Sequence, residues 1–183
     1  QGPQLIEINT NAGGALLNAA LAGAQQACCV EVSAVLGGSV DPTRLRDELV
    51  EMFRNEWRLQ RGERPLRTVA IVDEAPESQF LYPEFLLFRE LFRSAGLEAE
   101  IVDVNDLRFA DGHLRAGETA IDLVYNRHTD FYLGSSATSA LRAAYEAGAT
   151  VVTPHPRAYA LYADKRLLTV FSDIALLRSW GVD

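Results

Sequence analysis

Apolar and polar positions alternate and recur with clear periods along most of the chain. Ile6 and Ile8 alternate with Glu7 and Asn9, which predicts a strand over 5–10 with one apolar and one oxygen-bearing face. An Ala/Leu-rich run predicts a helix over 15–27, and 30–36 reads as β-like, ending at Gly37-Gly38. Asp41-Pro42 has the form of an N-cap with proline at the first helical position. The stripe Leu45, Leu49, Met52, Phe53 and Trp57 behind it predicts a core-packed helix closing near Gly62. Residues 61–65 then read as a linker.

A second unit opens with the apolar run 68–72, the mark of a parallel strand buried on both faces. A polar loop over 73–79 follows it. Phe85, Leu86, Phe88, Leu91 and Phe92 predict a helix over 82–94, closed by Gly96. Next come a strand at 99–104, a hairpin turning through Asp111-Gly112, and a strand at 121–125 that ends in Asn126-Arg127-His128. A helix over 135–147, a strand at 150–153 and two short helical runs complete the chain. Strand–helix–strand alternation of this length predicts an α/β fold with a doubly wound, mostly parallel sheet and an N-terminal strand–helix appendage. Ligands in such sheets bind beyond the carboxyl ends of the strands, here the loops 73–79, 126–130 and 154–157.

Composition narrows the function classes. The 183 residues are enough for one α/β domain with a short appendage. A net charge of −8 argues against a nucleic-acid surface. There is no bilayer-length apolar run and no secretory pattern, so a membrane partner is not expected and a cytoplasmic location is. The adjacent Cys28 and Cys29 have neither disulfide-framework nor metal-ligand spacing. Lys165 is the only lysine, against sixteen arginines. No G-x-G-x-x-G follows a strand and no Walker lysine motif is present.

The candidate chemistry lies in four places. Glu7 and Asn9 share a strand face and run into the Gly13-Gly14 turn at a helix start, where backbone N–H groups favour an anion. Glu77, Ser78 and Gln79 sit on a loop after a buried strand, Arg127 ends another, and Lys165 follows Ala163-Asp164. Each has an ordinary reading when taken singly: a capped loop, a solvated turn, a surface ion-pair partner and an exposed helix charge. His113, His128 and His155 have no metal-site spacing.

Together, three segments resemble the eukaryotic-type glutathione synthetases and related bacterial ATP-grasp ligases. They are Ile6-Glu7-Ile8-Asn9-Thr10 with the small-residue loop after it, the hairpin and strand through Asp111-Gly112 to Val124-Tyr125-Asn126-Arg127, and Leu161-Tyr162-Ala163-Asp164-Lys165-Arg166. That family joins a carboxylate to an amine through an acyl phosphate at the expense of ATP. The resemblance implies a pre-ATP-grasp, Rossmann-like architecture, with Glu7 and Asn9 on Mg2+ and Lys165 on an ATP phosphate. It further implies that Asn11, Gly13, Gly14, Glu77, Ser78, Tyr82 and Arg127 face a small amino-acid or peptide substrate.

The expected organisation is an N-terminal segment over 1–64, a substrate-binding domain over 65–157, and a lead-in over 158–183 to an ATP-grasp domain elsewhere in the same chain. The segment by itself is expected to hold no catalytic residue, and a homodimer stays open. The sequence departs from the family at 128–132, where His128-Thr129-Asp130-Phe131-Tyr132 stands in place of Asp-Gly-Tyr, at Pro76, Glu77 and Ser78, and after Thr10, where Asn11 and Ala12 stand in place of the family's residues. A non-catalytic amino-acid- or peptide-binding domain of the same fold is the alternative. A hydrolase or transferase unrelated to ATP-grasp is weaker still, for want of a base paired with Ser135 or Ser136.

Overall fold

Residues 5–28 and 42–182 are described by the computed structural model. The β-like run at 30–36 and the Asp41 cap fall outside them. The element order is α1 (Ala15–Cys28), α2 (Pro42–Arg61), β1 (Thr68–Asp73), a 3-10 turn (Pro76–Ser78), α3 (Tyr82–Ser94), β2 (Glu98–Asp103) and a second 3-10 turn (Val104–Asp106). It continues with β3 (Leu107–Ala110), β4 (His113–Ala116), β5 (Thr119–Ala120), β6 (Leu123–Asn126), α4 (Ser139–Glu146), β7 (Val151–Thr153), α5 (Pro156–Tyr162), α6 (Leu167–Phe171) and α7 (Ile174–Ser179). The fold is mixed α/β. A four-stranded parallel sheet runs in the order β2-β1-β6-β7, and β3-β4-β5 form a small antiparallel sheet.

β1 is central because its sequence is apolar on both faces. Val69 and Ile71 point one way, into a cluster with Leu16 of α1, Phe53 and Trp57 of α2, and Phe85, Phe88 and Phe92 of α3. Ala70 and Val72 point the other way, towards Leu107 and Leu114 of the hairpin and Leu141 and Ala144 of α4. Register is fixed by apolar pairs: Ile71 lies opposite Ile101 on one side and Tyr125 on the other. The hairpin turns at Asp111 and Gly112, which both carry positive φ (52° and 73°), the backbone a two-residue turn needs.

The first core cluster is built on aromatic edges. Phe53 is 1% exposed and meets Phe92 at 5.0 Å and Tyr125 at 4.9 Å, both edge-to-face. Unlike the other α-helices among the described residues, α5, α6 and α7 have no buried residue. Among the described residues no helix is long and apolar enough to cross a membrane.

Several sequence expectations change. Residues 5–10 do not form a strand. Asn9 Oδ1 accepts the Asn11 N–H at 3.0 Å, and this local turn replaces a ladder bond. The apolar face expected there is not buried either, Ile6 being 78% exposed. The helix expected over 135–147 starts at Ser139, because Asp130 draws Ser135 N and the Thr138 hydroxyl into a turn first. Three short helices end the chain instead of two, since the Asp173 carboxylate accepts Leu176 N and starts α7 afresh.

Phe53→Ala should lower the unfolding free energy by about 3–5 kcal/mol, the usual range for emptying a buried phenylalanine site. Urea denaturation followed by far-UV circular dichroism measures it.

Candidate functional site

The chain leaves the carboxyl ends of β1 and β6 in opposite directions across the sheet: through α3 to β2 on one side, through α4 to β7 on the other. The crevice between these ends is where open α/β sheets place ligands. Arg127 N donates to Val72 O at 2.8 Å, which carries the β1–β6 pairing one residue past the strand. Asn126, Arg127 and His128 are therefore all buried at this point.

The N-terminal segment docks onto the crevice through two side chains from opposite banks. Arg127 Nη1 donates to Asn11 Oδ1 at 2.5 Å and to the Ala12 carbonyl at 3.0 Å. Glu84, in the first turn of α3, is 1% exposed. Its carboxylate accepts Gly14 N at 2.5 Å and Leu16 N at 3.1 Å. The sequence pointed to an anion at this helix start, and the protein supplies one itself. Two backbone donors at the positive end of α1 are satisfied by an internal carboxylate.

Gly13 threads between the two anchors. A Cβ there would lie 2.6 Å from Leu81 Cδ1 and 2.9 Å from Arg127 Nη2, so a larger residue would have to push the ends of both side chains aside. The Arg127 guanidinium also lies over the Tyr125 ring, 5.4 Å from its centroid. Its Nε is the one buried side-chain polar atom without a hydrogen-bond partner among the described residues.

Beside this anchor lies an open pocket of about 170 Å³, lined by Glu7, Ile8, Asn9, Thr10, Asn11, Phe131, Tyr159, Ala163 and Lys165. Lys165 Nζ is 3.0 Å from Glu7 Oε2. Phe131 stacks on Tyr159 at 4.3 Å, and Tyr132 meets the same ring edge-on. Larger cavities occur elsewhere, one of about 520 Å³ between α2 and α3. Its charged lining, such as Arg46, Asp47 and Arg54, stands apart from the crevice, and the smaller pocket is the one lined by residues singled out in the sequence.

Glu7, Asn9, Asn11 and Lys165, singled out in the sequence, thus line one pocket. Arg127, Gly13 and Gly14 form its anchor. Glu77 and Ser78 are exposed on the 3-10 turn, Tyr82 opens α3, and none of the three lines the pocket. Sequence reasoning passed over Glu84, Phe131 and Tyr159. A signal for Glu84 was present: it stands four residues before Phe88 and seven before Leu91, a carboxylate on the apolar stripe of its helix.

The other wall of the crevice holds further polar groups. His128 Nδ1 accepts Asp130 N at 2.9 Å, which places the ring proton on Nε2, 3.9 Å from Glu74 Oε2. Burial raises the Asp73 carboxyl, and the Glu74 N–H with nearby His128 and Arg127 offsets this only in part. Burial also pushes Asp130 up, but hydrogen bonds from Ser135, Gly134 and Thr138 outweigh it and hold that carboxyl well below the usual range. No group of three His, Cys, Asp or Glu gathers as a metal cluster among the described residues.

Two outcomes follow. Glu84→Gln should cost about 1–3 kcal/mol, since an amide NH2 now faces a buried N–H. Hydrogen exchange should speed up at Gly14 and Leu16 before the strand amides respond. Because the folded pKa of Asp130 is depressed, it stabilises the fold above the ordinary value of 3.8 and loses this as pH falls below it. Asp130→Asn should therefore lower the urea midpoint at pH 7, and the gap to wild type should shrink at pH 3. Set against known proteins, the chain matches no family model, and no curated protein matches it.

Proposed function

We propose that the chain is the substrate-binding part of an ATP-dependent carboxylate–amine ligase acting through an acyl phosphate, in a doubly wound, Rossmann-like, pre-ATP-grasp architecture. The observation that carries this reading is convergence. The three segments that resemble the glutathione-synthetase type of ligase are far apart in sequence, yet they meet at one crevice. Asn11 is hydrogen-bonded to Arg127, and Glu7 is paired with Lys165.

The donor set suits the cation that this chemistry employs. Glu7 offers a carboxylate, and the Asn9 amide oxygen keeps a lone pair beyond the one given to Asn11 N. Magnesium takes few protein oxygens and completes its shell with water and phosphate, so Glu7 and Asn9 would hold it weakly by themselves and more firmly once a nucleotide adds its phosphates. When bound, it would neutralise phosphate charge. The chain's own residues do the positioning. Arg127 holds the 11–14 loop through Nη1, and to clamp a substrate carboxylate its guanidinium would have to exchange that loop contact for the ligand. The Lys165 ammonium, on the turn between α5 and α6, would approach a phosphate. The Phe131–Tyr159 stack forms an apolar wall on one side of the pocket.

A pocket of about 170 Å³ is smaller than the roughly 300–1,000 Å³ of most ligand sites. That favours a single amino-acid-sized group here. It is also the observation on which the alternative rests, an amino-acid- or peptide-binding domain without catalysis.

Glu7→Gln in the full-length protein should abolish ATP-dependent phosphate release in the presence of amino acids and γ-glutamyl peptides. The thermal midpoint should stay within a degree or so of wild type, because Glu7 is half-exposed and outside the core. Unchanged turnover in Glu7→Gln would sink the ligase reading. Amino-acid binding that no nucleotide alters would favour the binding domain.

A further inference from the structure

The Glu7–Lys165 pair joins the two residues that the ligase reading gives to different partners. Glu7 is assigned to a divalent cation and Lys165 to a phosphate. The two residues hold each other: Lys165 Nζ lies 3.0 Å from Glu7 Oε2, inside the same pocket as Asn9 and Asn11. An ammonium against a carboxylate oxygen and a metal ion against that oxygen are alternatives, since both cations claim the same lone pairs and repel each other.

We propose that Lys165 is the resident counter-ion of the metal position. Its ammonium neutralises Glu7 until a divalent cation arrives, and the exchange releases it towards the phosphate that the cation carries. This rests on the ligase reading of the site and adds an order of events to it. Metal alone must displace Lys165 and leave the ammonium without a partner. Metal bound to a nucleotide displaces it and at once offers it a phosphate. The device therefore disfavours the bare cation and favours the cation–phosphate complex.

The surroundings fit an exchangeable pair. Both side chains are solvent-accessible, 72% for Lys165 and 48% for Glu7, so the contact can open without unfolding anything. Lys165 lies on the turn between two short helices that have no buried residue, so the ammonium can swing without disturbing the core. Lys165 is also the only lysine of the chain, and its neighbour Arg166 is engaged elsewhere, on the Asp164 carboxylate. Exposed pairs are weak, which keeps the device reversible and sets its scale at a few-fold.

The test is a double-mutant cycle on the full-length protein, with Mn2+ as the probe and free Mn2+ counted by electron paramagnetic resonance in the absence of nucleotide. Glu7→Gln should weaken Mn2+ binding. Lys165→Met should strengthen it by roughly two- to fivefold, the worth of an exposed pair. In the Glu7→Gln background, Lys165→Met should change nothing. Arg166→Met removes the same formal charge one residue away, so it controls for long-range electrostatics and should have a smaller effect than Lys165→Met.

The outcomes separate the two levels of the argument. If Glu7→Gln leaves Mn2+ binding untouched, the metal position itself is wrong and the ligase reading fails there. If Glu7→Gln weakens binding but Lys165→Met gives no gain over Arg166→Met, or gives the same gain without Glu7, the counter-ion exchange is overturned while the metal position stands.

Discussion

The docked N-terminal segment depends on one buried carboxylate. Glu84 is enclosed by apolar neighbours on α3, and a charge so placed is costly unless it is hydrogen-bonded. It finds its donors in the first turn of α1, two N–H groups that need an acceptor as much as it needs donors. Each half would be unstable alone in an apolar setting, and together they are matched. The match also fixes where α1 begins, and so where the loop before it can lie. Arg127 takes up the same loop from the opposite bank, so a positive and a negative side chain grip one stretch of backbone without pairing directly.

This grip converts sheet topology into a site. The connections that leave β1 and β6 diverge, which opens a crevice, and the residues just past the two strands are forced to face it. Arg127 is there because β6 ends one residue earlier, and Glu84 because α3 starts soon after β1. The docked segment then carries Glu7 and Asn9 to the rim, within reach of the turn after α5. Three regions with no local tendency to associate become neighbours through the sheet's geometry.

What could be read from the chain divides along the range of the interactions. β1 and the Phe85–Phe92 stripe of α3 were legible because burial on a strand or helix face writes its own period into the sequence. The hairpin was legible because Asp111-Gly112 is a local turn signal. The 5–10 segment was misread because four alternating residues also fit an Asn-centred turn, and Asn9 closes that turn with its own side chain. The start of α4 was misread for a related reason: Asp130 holds Ser135 and Thr138 from five and eight residues upstream. Glu7, Asn9, Asn11, Arg127 and Lys165 could be named as candidates from residue type and position. Their partners could not, since Asn11 and Arg127 are 116 positions apart and no local pattern encodes that pairing. Glu84 left a local mark, a carboxylate on an apolar stripe, but its partners at the start of α1 lie 70 and 68 positions away.

The last three helices carry a thermodynamic consequence. With nothing buried along α5, α6 or α7, their local opening free energy is decoupled from the global stability that the aromatic core provides. The Phe131–Tyr159 stack, with Tyr132 edge-on to the same ring, joins α5 to the body of the protein. Lys165 thus sits on a segment with little buried surface to hold it. A ligand that engaged Lys165 would bind with an affinity set by the order of this segment as well as by the residues that line the pocket.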